Sequence, residues 1–268
     1  QMGLIRYNQN RDDEALKIYT EVLDQYPGTE EAKEAQIGIK NIYVEKGTVS
    51  EYQQLAQERG LETMSRTEFD STAWEAAERS YQKGDCDLAM GQMSSYLRDF
   101  PEGLFSLQAL GYKADCEMKA RKVDEAALTY GQILLRPKNK YTAEAHLILG
   151  IYERQKDNFP KAIEHFKELE KMPDNSDQLL QARSNVMRLS ARLGNTAESE
   201  VYAKKLLETE KVDEDMKNEA KLILARAELK SENWDAALSD FQKLRKVNSE
   251  IGAEARYSIA LIYFNKGD

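Results

Sequence analysis

The chain is short of the residues that interrupt a helix, staple a fold or carry out chemistry. Its 268 residues include only 5 prolines, 2 cysteines and 2 histidines. So few prolines leave long segments free to be helical, and the many Ala, Leu, Glu and Lys favour helix throughout. Cys86 and Cys116 form no CxxC pair and have no zinc-like spacing. They are expected as small buried hydrophobes, while their spacing leaves a disulfide open and fixes no compartment. No apolar run approaches the roughly 18 residues needed to span a bilayer, so no membrane insertion is expected. The opening "QMGLIRYNQNRDDEA" lacks the cationic start and apolar stretch of a secretion signal. A formal charge of −9 offers no basic excess to track a phosphate path, which argues against nucleic-acid binding.

Reactive motifs are missing too. The chain has no G-x-S-x-G, H-E-x-x-H, P-loop or dinucleotide glycine pattern. His146 and His165 are expected to be packed or surface side chains. The acidic pairs Asp12-Asp13 and Glu30-Glu31 read as helix starts, where the macrodipole favours carboxylates. No catalysis, cofactor or metal is expected.

What the chain does have is a clock. In "DDEALKIYTEVLDQYP" Ala15 is followed by Tyr19 four residues on and Pro27 twelve on, and in "DCDLAMGQMSSYLRDFP" the same frame holds Ala89, Met93 and Pro101. It recurs at Ala126 with Tyr130, Ala162 with Phe166 and Ala237 with Phe241; Tyr52 with Ala56 and Ser199 with Ala203 complete it. The seven anchors are spaced 37, 37, 37, 36, 37 and 38 residues apart. Twelve residues before an anchor stand Gly3, Ala77, Ala114, Gly150 and Ala225, with Lys40 and Met187 as exceptions. Small residues at both places let two helices approach within about 8–10 Å. Each repeat therefore reads as helix A, a short turn, helix B and a longer connection. Pro160 fits the first turn of a helix B, where its missing N–H costs nothing.

The order of small residue, Tyr, Ala, aromatic and Pro in "AEAHLILGIYERQKDNFPKAIEHFKELEKMP" resembles a tetratricopeptide repeat, and the resemblance covers essentially the whole chain. The family's usual period is 34 residues, and here the surplus falls after the proline position. A longer connection from helix B to the next helix A, or an extra turn at the start of helix A, is therefore expected. The second repeat is the poorest match: Gly60 and the lack of a proline predict a short helix B and an irregular connection. The resemblance implies an all-α, right-handed superhelical solenoid of antiparallel helix pairs. The repeats fall near 28–64, 65–101, 102–137, 138–174, 175–212 and 213–250, with partial ones at 1–27 and 251–268. The chain ends on "EIGAEARYSIALIYFNKGD", a helix A whose Ala260 and Tyr263 await a helix B, followed by the turn signal Lys266-Gly267-Asp268. Gly3 likewise falls inside a repeat, so both ends read as cuts through a longer array. The last helix is expected to expose Tyr257, Leu261, Ile262 and Phe264.

In such a solenoid helices A line the concave groove. Fifteen, eleven, eight and seven residues before the anchors, Trp74, Tyr81 and Met118 bring apolar surface beside Glu78 and Asp115, and Arg154, Arg188, Arg192, Arg226 and Lys230 form a basic ladder. Aromatic and arginine side chains are the types found at binding hot spots. The function read from this is a protein–protein interaction scaffold that takes a peptide or partner protein in the groove, acidic where it meets the arginines. The blander reading is a solvated face of ordinary ion pairs. The family's clamp for a C-terminal carboxylate does not fit, because Asn41, Glu78 and Asp115 stand at its positions and the two carboxylates would repel an anion. The alternative function is an accessory or regulatory domain of a larger enzyme or receptor. Stretches such as "FPEGLFSLQALGYKADCEM" are similar to bacterial cell-envelope repeat proteins, of the outer-membrane assembly lipoprotein, Tol–Pal coordinator and Bacteroides-like types. That implies a periplasmic setting, with a cytoplasmic one as the alternative.

Overall fold

The computed structural model describes residues 1–172 and 176–266. Gly267 and Asp268, part of the turn read at the end of the sequence, lie outside the described residues. Helix accounts for 78% of the described residues, and none of them is in a strand. Two compact halves divide the chain, Gln1–Pro137 and Lys138–Asp268. The N-terminal half holds α1 (Met2–Asn8), α2 (Asp12–Gln25), α3 (Glu30–Lys46), α4 (Val49–Glu58), α5 (Arg66–Gln82), α6 (Cys86–Asp99), α7 (Ser106–Lys119) and α8 (Val123–Leu134). The C-terminal half holds α9 (Thr142–Gln155), α10 (Phe159–Glu170), α11 (Ser176–Arg192), α12 (Thr196–Leu207), α13 (Glu214–Lys230), α14 (Trp234–Leu244) and α15 (Glu250–Lys266). Within each half every helix packs on the next, and helices A also touch, as α5 does α7 and α11 does α13. Each half is thus an all-α stack of antiparallel helix pairs laid down in sequence order.

The pairing follows from the anchor frame. All seven anchors, from Ala15 to Ala237, are buried, and so are the residues four further on, from Tyr19 to Phe241. The small residue on helix A leaves room for the ring on helix B. A Cβ at Gly150 would lie 2.8 Å from Phe166 Cε1, so only glycine fits there. Where Lys40 breaks the rule, its side chain is half-buried and reaches Glu68 on α5 at 2.7 Å. A second alanine position, seventeen residues before the anchor, escaped the sequence reading. Ala35, Ala109, Ala145, Ala182 and Ala220 all occupy it and are buried. Ala109 clusters with Tyr96 of the preceding helix B and with Phe100 just past its end, and Ala182 with Phe166 and Leu169. One small residue therefore serves the helix B before and another the helix B after.

The turn from A to B is the same device each time. Five residues before each anchor the backbone is left-handed, at Asn10 (φ 56°), Gly47 (71°), Gly84 (78°), Arg121 (60°), Asp157 (57°), Gly194 (76°) and Glu232 (60°). The next N–H bonds back to a carbonyl five residues earlier, as Asp85 does to Ser80 at 3.1 Å and Asn158 to Glu153 at 2.8 Å. This is the Schellman closure, which satisfies carbonyls a helix end leaves open. Both expected ways of absorbing the extra residues occur. Helices α3, α5, α11 and α13 run to 17 residues, α7 and α9 have 14, and connections of six or seven residues precede α5, α7, α9 and α13. Helix α4 is short at 10 residues. The irregular segment after it is held by Gln53, whose amide donates to the Met64 carbonyl and accepts from the Met64 N–H, both at 3.0 Å.

Two expectations need correction. Cys86 and Cys116 are joined as a disulfide, Cα to Cα 5.1 Å, instead of standing as separate buried thiols. The first residue of α6 lies against the face of α7 ten residues before its anchor, so the antiparallel packing brings the two sulfurs together. The bond closes a segment of 30 residues in the N-terminal half and limits its unfolded chain, an effect of about 3–4 kcal/mol. Ile262 is fully buried rather than exposed; it packs with Ala255, Phe241 and Leu244 because the inward stripe of α15 runs through Ala255, Ser258 and Ile262. Leu261 is half-buried, while Tyr257 and Phe264 are exposed.

Candidate functional site

Between α5 and α7 the helix-A face of the N-terminal half is filled by aromatic rings, whereas Ile37 on α3 stays exposed. Trp74 is only 5% exposed, so it does not line an open groove. Its indole stacks on Phe105 at 5.2 Å and on Tyr112 at 5.6 Å, and Tyr112 stacks in turn on Tyr81 at 4.1 Å. Four aromatic rings thus tie α5 to α7 and the connection before it. Tyr81 is half-buried and donates its hydroxyl to Asp115 at 2.8 Å, and Lys119 lies over its ring and pairs with the same carboxylate. Met118 is half-buried beside them in sequence. Beneath, Tyr96 donates to the buried Asp70, which also accepts from the Leu104 N–H. Burial, then the bond to Asp70, pushes the Tyr96 phenol well above its ordinary value.

The C-terminal half differs. A cleft of about 910 Å³ lies over α11, α13 and α15 and brings together three of the residues expected in the groove, Arg188, Arg192 and Arg226. Its floor is apolar: Leu222 and Ile223 are buried at the bottom, with half-buried Ala191, Met216 and Ile251 around them. Arg154 and Lys230 do not line it; Arg154 donates to Asn185 at 2.6 Å and Lys230 to Thr196 at 2.9 Å.

The arginines are not a bare ladder. Arg188 meets Glu219 of α13 through both carboxylate oxygens, with Nε at 2.7 and 2.9 Å. Arg226 meets Glu254 of α15 in the same way, at 2.5 Å to each oxygen. Each pair joins one helix A to the next, a bidentate geometry stronger than a single hydrogen bond. The bond to Glu219, and for Arg226 the bond to Glu254, holds each guanidinium above its ordinary pKa. Arg192 lies 4.4 Å over the ring of Phe159 and 3.8 Å from Asp157. Glu219 and Glu254, the carboxylate partners of Arg188 and Arg226 on the following helix A, were not part of the sequence reading.

Outside the cleft, the two histidines meet each other. His146 Nδ1 and His165 Nδ1 are 3.1 Å apart between α9 and α10, both half-buried, so one ring donates and the other accepts. Burial holds both below the ordinary histidine value. Among the described residues no three His, Cys, Asp or Glu side chains are grouped to hold a metal ion. No helix among them is long and apolar enough to cross a membrane.

Comparison with known families bears on this architecture. One tetratricopeptide-repeat model matches residues 113–177 and 222–268, and a second matches residues 1–29, together more than half of the chain. The chain belongs to the tetratricopeptide-repeat family. Several solved repeat structures are similar to it at low identity. Yeast Tom70 is 15% identical with a TM-score of 0.43; the match takes in 96% of this chain and 60% of Tom70. A tetratricopeptide repeat protein from Parabacteroides merdae is 15% identical with a TM-score of 0.34, over 97% of this chain and 96% of its own. PilW, a type IV pilus biogenesis factor, is 16% identical with a TM-score of 0.41, over 89% and 97%. No curated protein matches the sequence. Tetratricopeptide repeats in general serve as non-catalytic protein-interaction modules.

Proposed function

We propose that this tetratricopeptide-repeat protein is a scaffold or adaptor, without catalysis of its own, that holds a peptide or partner protein in the cleft over α11, α13 and α15. The supporting observation is the cleft itself. Three successive helices A offer an apolar floor within an ion-paired rim. A groove of that kind suits an extended or helical segment, whose apolar side chains would reach Met216 and Ile251 while polar ones meet the rim. The filled face around Trp74 in the N-terminal half supports a structural role there.

A photo-crosslinking residue at Met216, compared with one at the exposed Leu128 of α8, tests this reading. Specific adducts from position 216 and none from 128 are expected. Equal labelling from both, or labelling from 128 alone, would refute it.

The same proposal extends to the compartment. The Cys86–Cys116 disulfide supports an oxidising location such as a bacterial periplasm, because disulfides persist there and are rare in the cytosol. Alkylation of intact cells before lysis checks this. Protein that remains unmodified until it is reduced fits the proposal, and thiols that react at once contradict it.

A further inference from the structure

The arrangement of charge around the cleft carries information about the occupant, and its sign is the reverse of what the arginine ladder implied. Every arginine in the lining is already engaged: Arg188 by Glu219, Arg226 by Glu254 and Arg192 by Asp157 and the Phe159 ring. An acidic ligand would have to displace an internal carboxylate to reach Arg188 or Arg226, trading one bidentate pair for another with no net gain, and only Arg192, with a single 3.8 Å approach to Asp157, is more loosely held. The carboxylates are in surplus. Besides Glu219 and Glu254 the cleft is lined by Asp213, Asp215 and Glu250, five acids against three arginines. Asp213 is spent capping α13, accepting from the Met216 N–H at 2.7 Å. Asp215 and Glu250 are exposed on the rim, and among the described residues neither meets a cation. Both belong to first turns, Asp215 of α13 and Glu250 of α15. The apolar Met216 and Ile251 are their immediate sequence neighbours and line the same cleft.

We propose that this cleft takes a cationic segment of a partner protein, with a Lys or Arg head at Asp215 and Glu250 and an adjacent apolar side chain over Met216 and Ile251. The inference rests on the scaffold reading above and adds the chemistry of the occupant. A net-negative rim on an apolar floor attracts such a segment by charge and retains it by burial, and the chain's overall charge of −9 acts in the same direction.

The test uses the full chain and two fluorescein-labelled synthetic peptide pools. Both carry fixed leucine and phenylalanine positions; one has Lys and Arg at its remaining fixed positions, the other Asp and Glu. Fluorescence polarisation is expected to show the basic pool bound about tenfold more tightly, with affinity falling as salt rises. The double variant Asp215→Asn, Glu250→Gln is expected to lose about threefold or more for the basic pool. Both positions are exposed, so circular dichroism should show the fold unchanged. Met216→Gln is expected to weaken binding independently of salt. Equal or tighter binding of the acidic pool, or a double variant that binds the basic pool unchanged, overturns the cationic occupant while leaving the scaffold reading in place. Failure of both pools to bind refutes the two together.

Discussion

The two halves are built from the same hairpin, yet α5 and α7 in one and α11, α13 and α15 in the other treat their helix-A faces in opposite ways. In the N-terminal half that face carries a stack of Phe105, Trp74, Tyr112 and Tyr81, and a disulfide fastens α6 to α7. In the C-terminal half the corresponding helices are tied by Arg188–Glu219 and Arg226–Glu254, and a cleft stays open between the ties. Rings that fill a face stabilise it and leave little to bind. Ion pairs half-exposed to water contribute little stability, commonly about 0–1 kcal/mol, but they set helix spacing and leave apolar floor uncovered. One repeat plan thus yields a closed wall or a groove according to which side chains stand at the same few offsets.

Removing the stack breaks this contrast most strongly. Trp74→Ala is expected to destabilise the N-terminal half by about 3–5 kcal/mol. Trp234 of α14 is the one other tryptophan, so its fluorescence reports the C-terminal half in that variant. Urea titration should show helix lost early by circular dichroism while the Trp234 midpoint holds. Coincident early transitions would mean the two halves do not differ as described.

Next in size is reduction of the disulfide, expected to cost about 3–4 kcal/mol. Hydrogen exchange should quicken in α6 and α7 and stay unchanged in α11 to α15.

A smaller effect belongs to the C-terminal half alone. His146 and His165 have folded pKa values below the ordinary one, so on acidification the unfolded chain takes up protons first. Stability from the pair is complete above about pH 6.5, falls as pH drops below it and levels off beneath the folded values. Thermal melts of His146→Gln between pH 5 and about 7.5 should show a shallower pH slope than the parent, and an unchanged slope would remove the pair from the account.

The smallest change tests what the halves share. Arg121 and Glu232 close turns in the left-handed region, one in each half, where a side chain costs about 1 kcal/mol relative to glycine. Arg121→Gly and Glu232→Gly should each raise stability by up to about 1 kcal/mol, by similar amounts, in chemical denaturation.

Much of the fold was legible because the frame rests on steric rules. The anchors and the small residues before them follow directly from how closely two helices can pack. The left-handed turns at Arg121 and Glu232 were hidden, since neither residue type advertises that conformation. The site was half legible. Arg188, Arg192 and Arg226, read as lining one groove, do line one cleft, but an arginine in a sequence does not announce its partner. Glu219 and Glu254 lie 31 and 28 residues further along, and only the staggered packing of helices A joins them. Trp74 misled for a related reason. Its offset is that of a groove residue, but Phe105 and Tyr112 close over it, and a 37-residue clock carries no sign of a neighbour that large.

The most direct test of the central claim is hydrogen–deuterium exchange on the full chain, with and without a saturating basic peptide from the pool described above. Protection is expected to concentrate in residues 188–192, 213–226 and 249–254, the segments that line the cleft, with the N-terminal half unchanged. Protection centred on α10, α12 and α14, or on the face around Trp74, would contradict it.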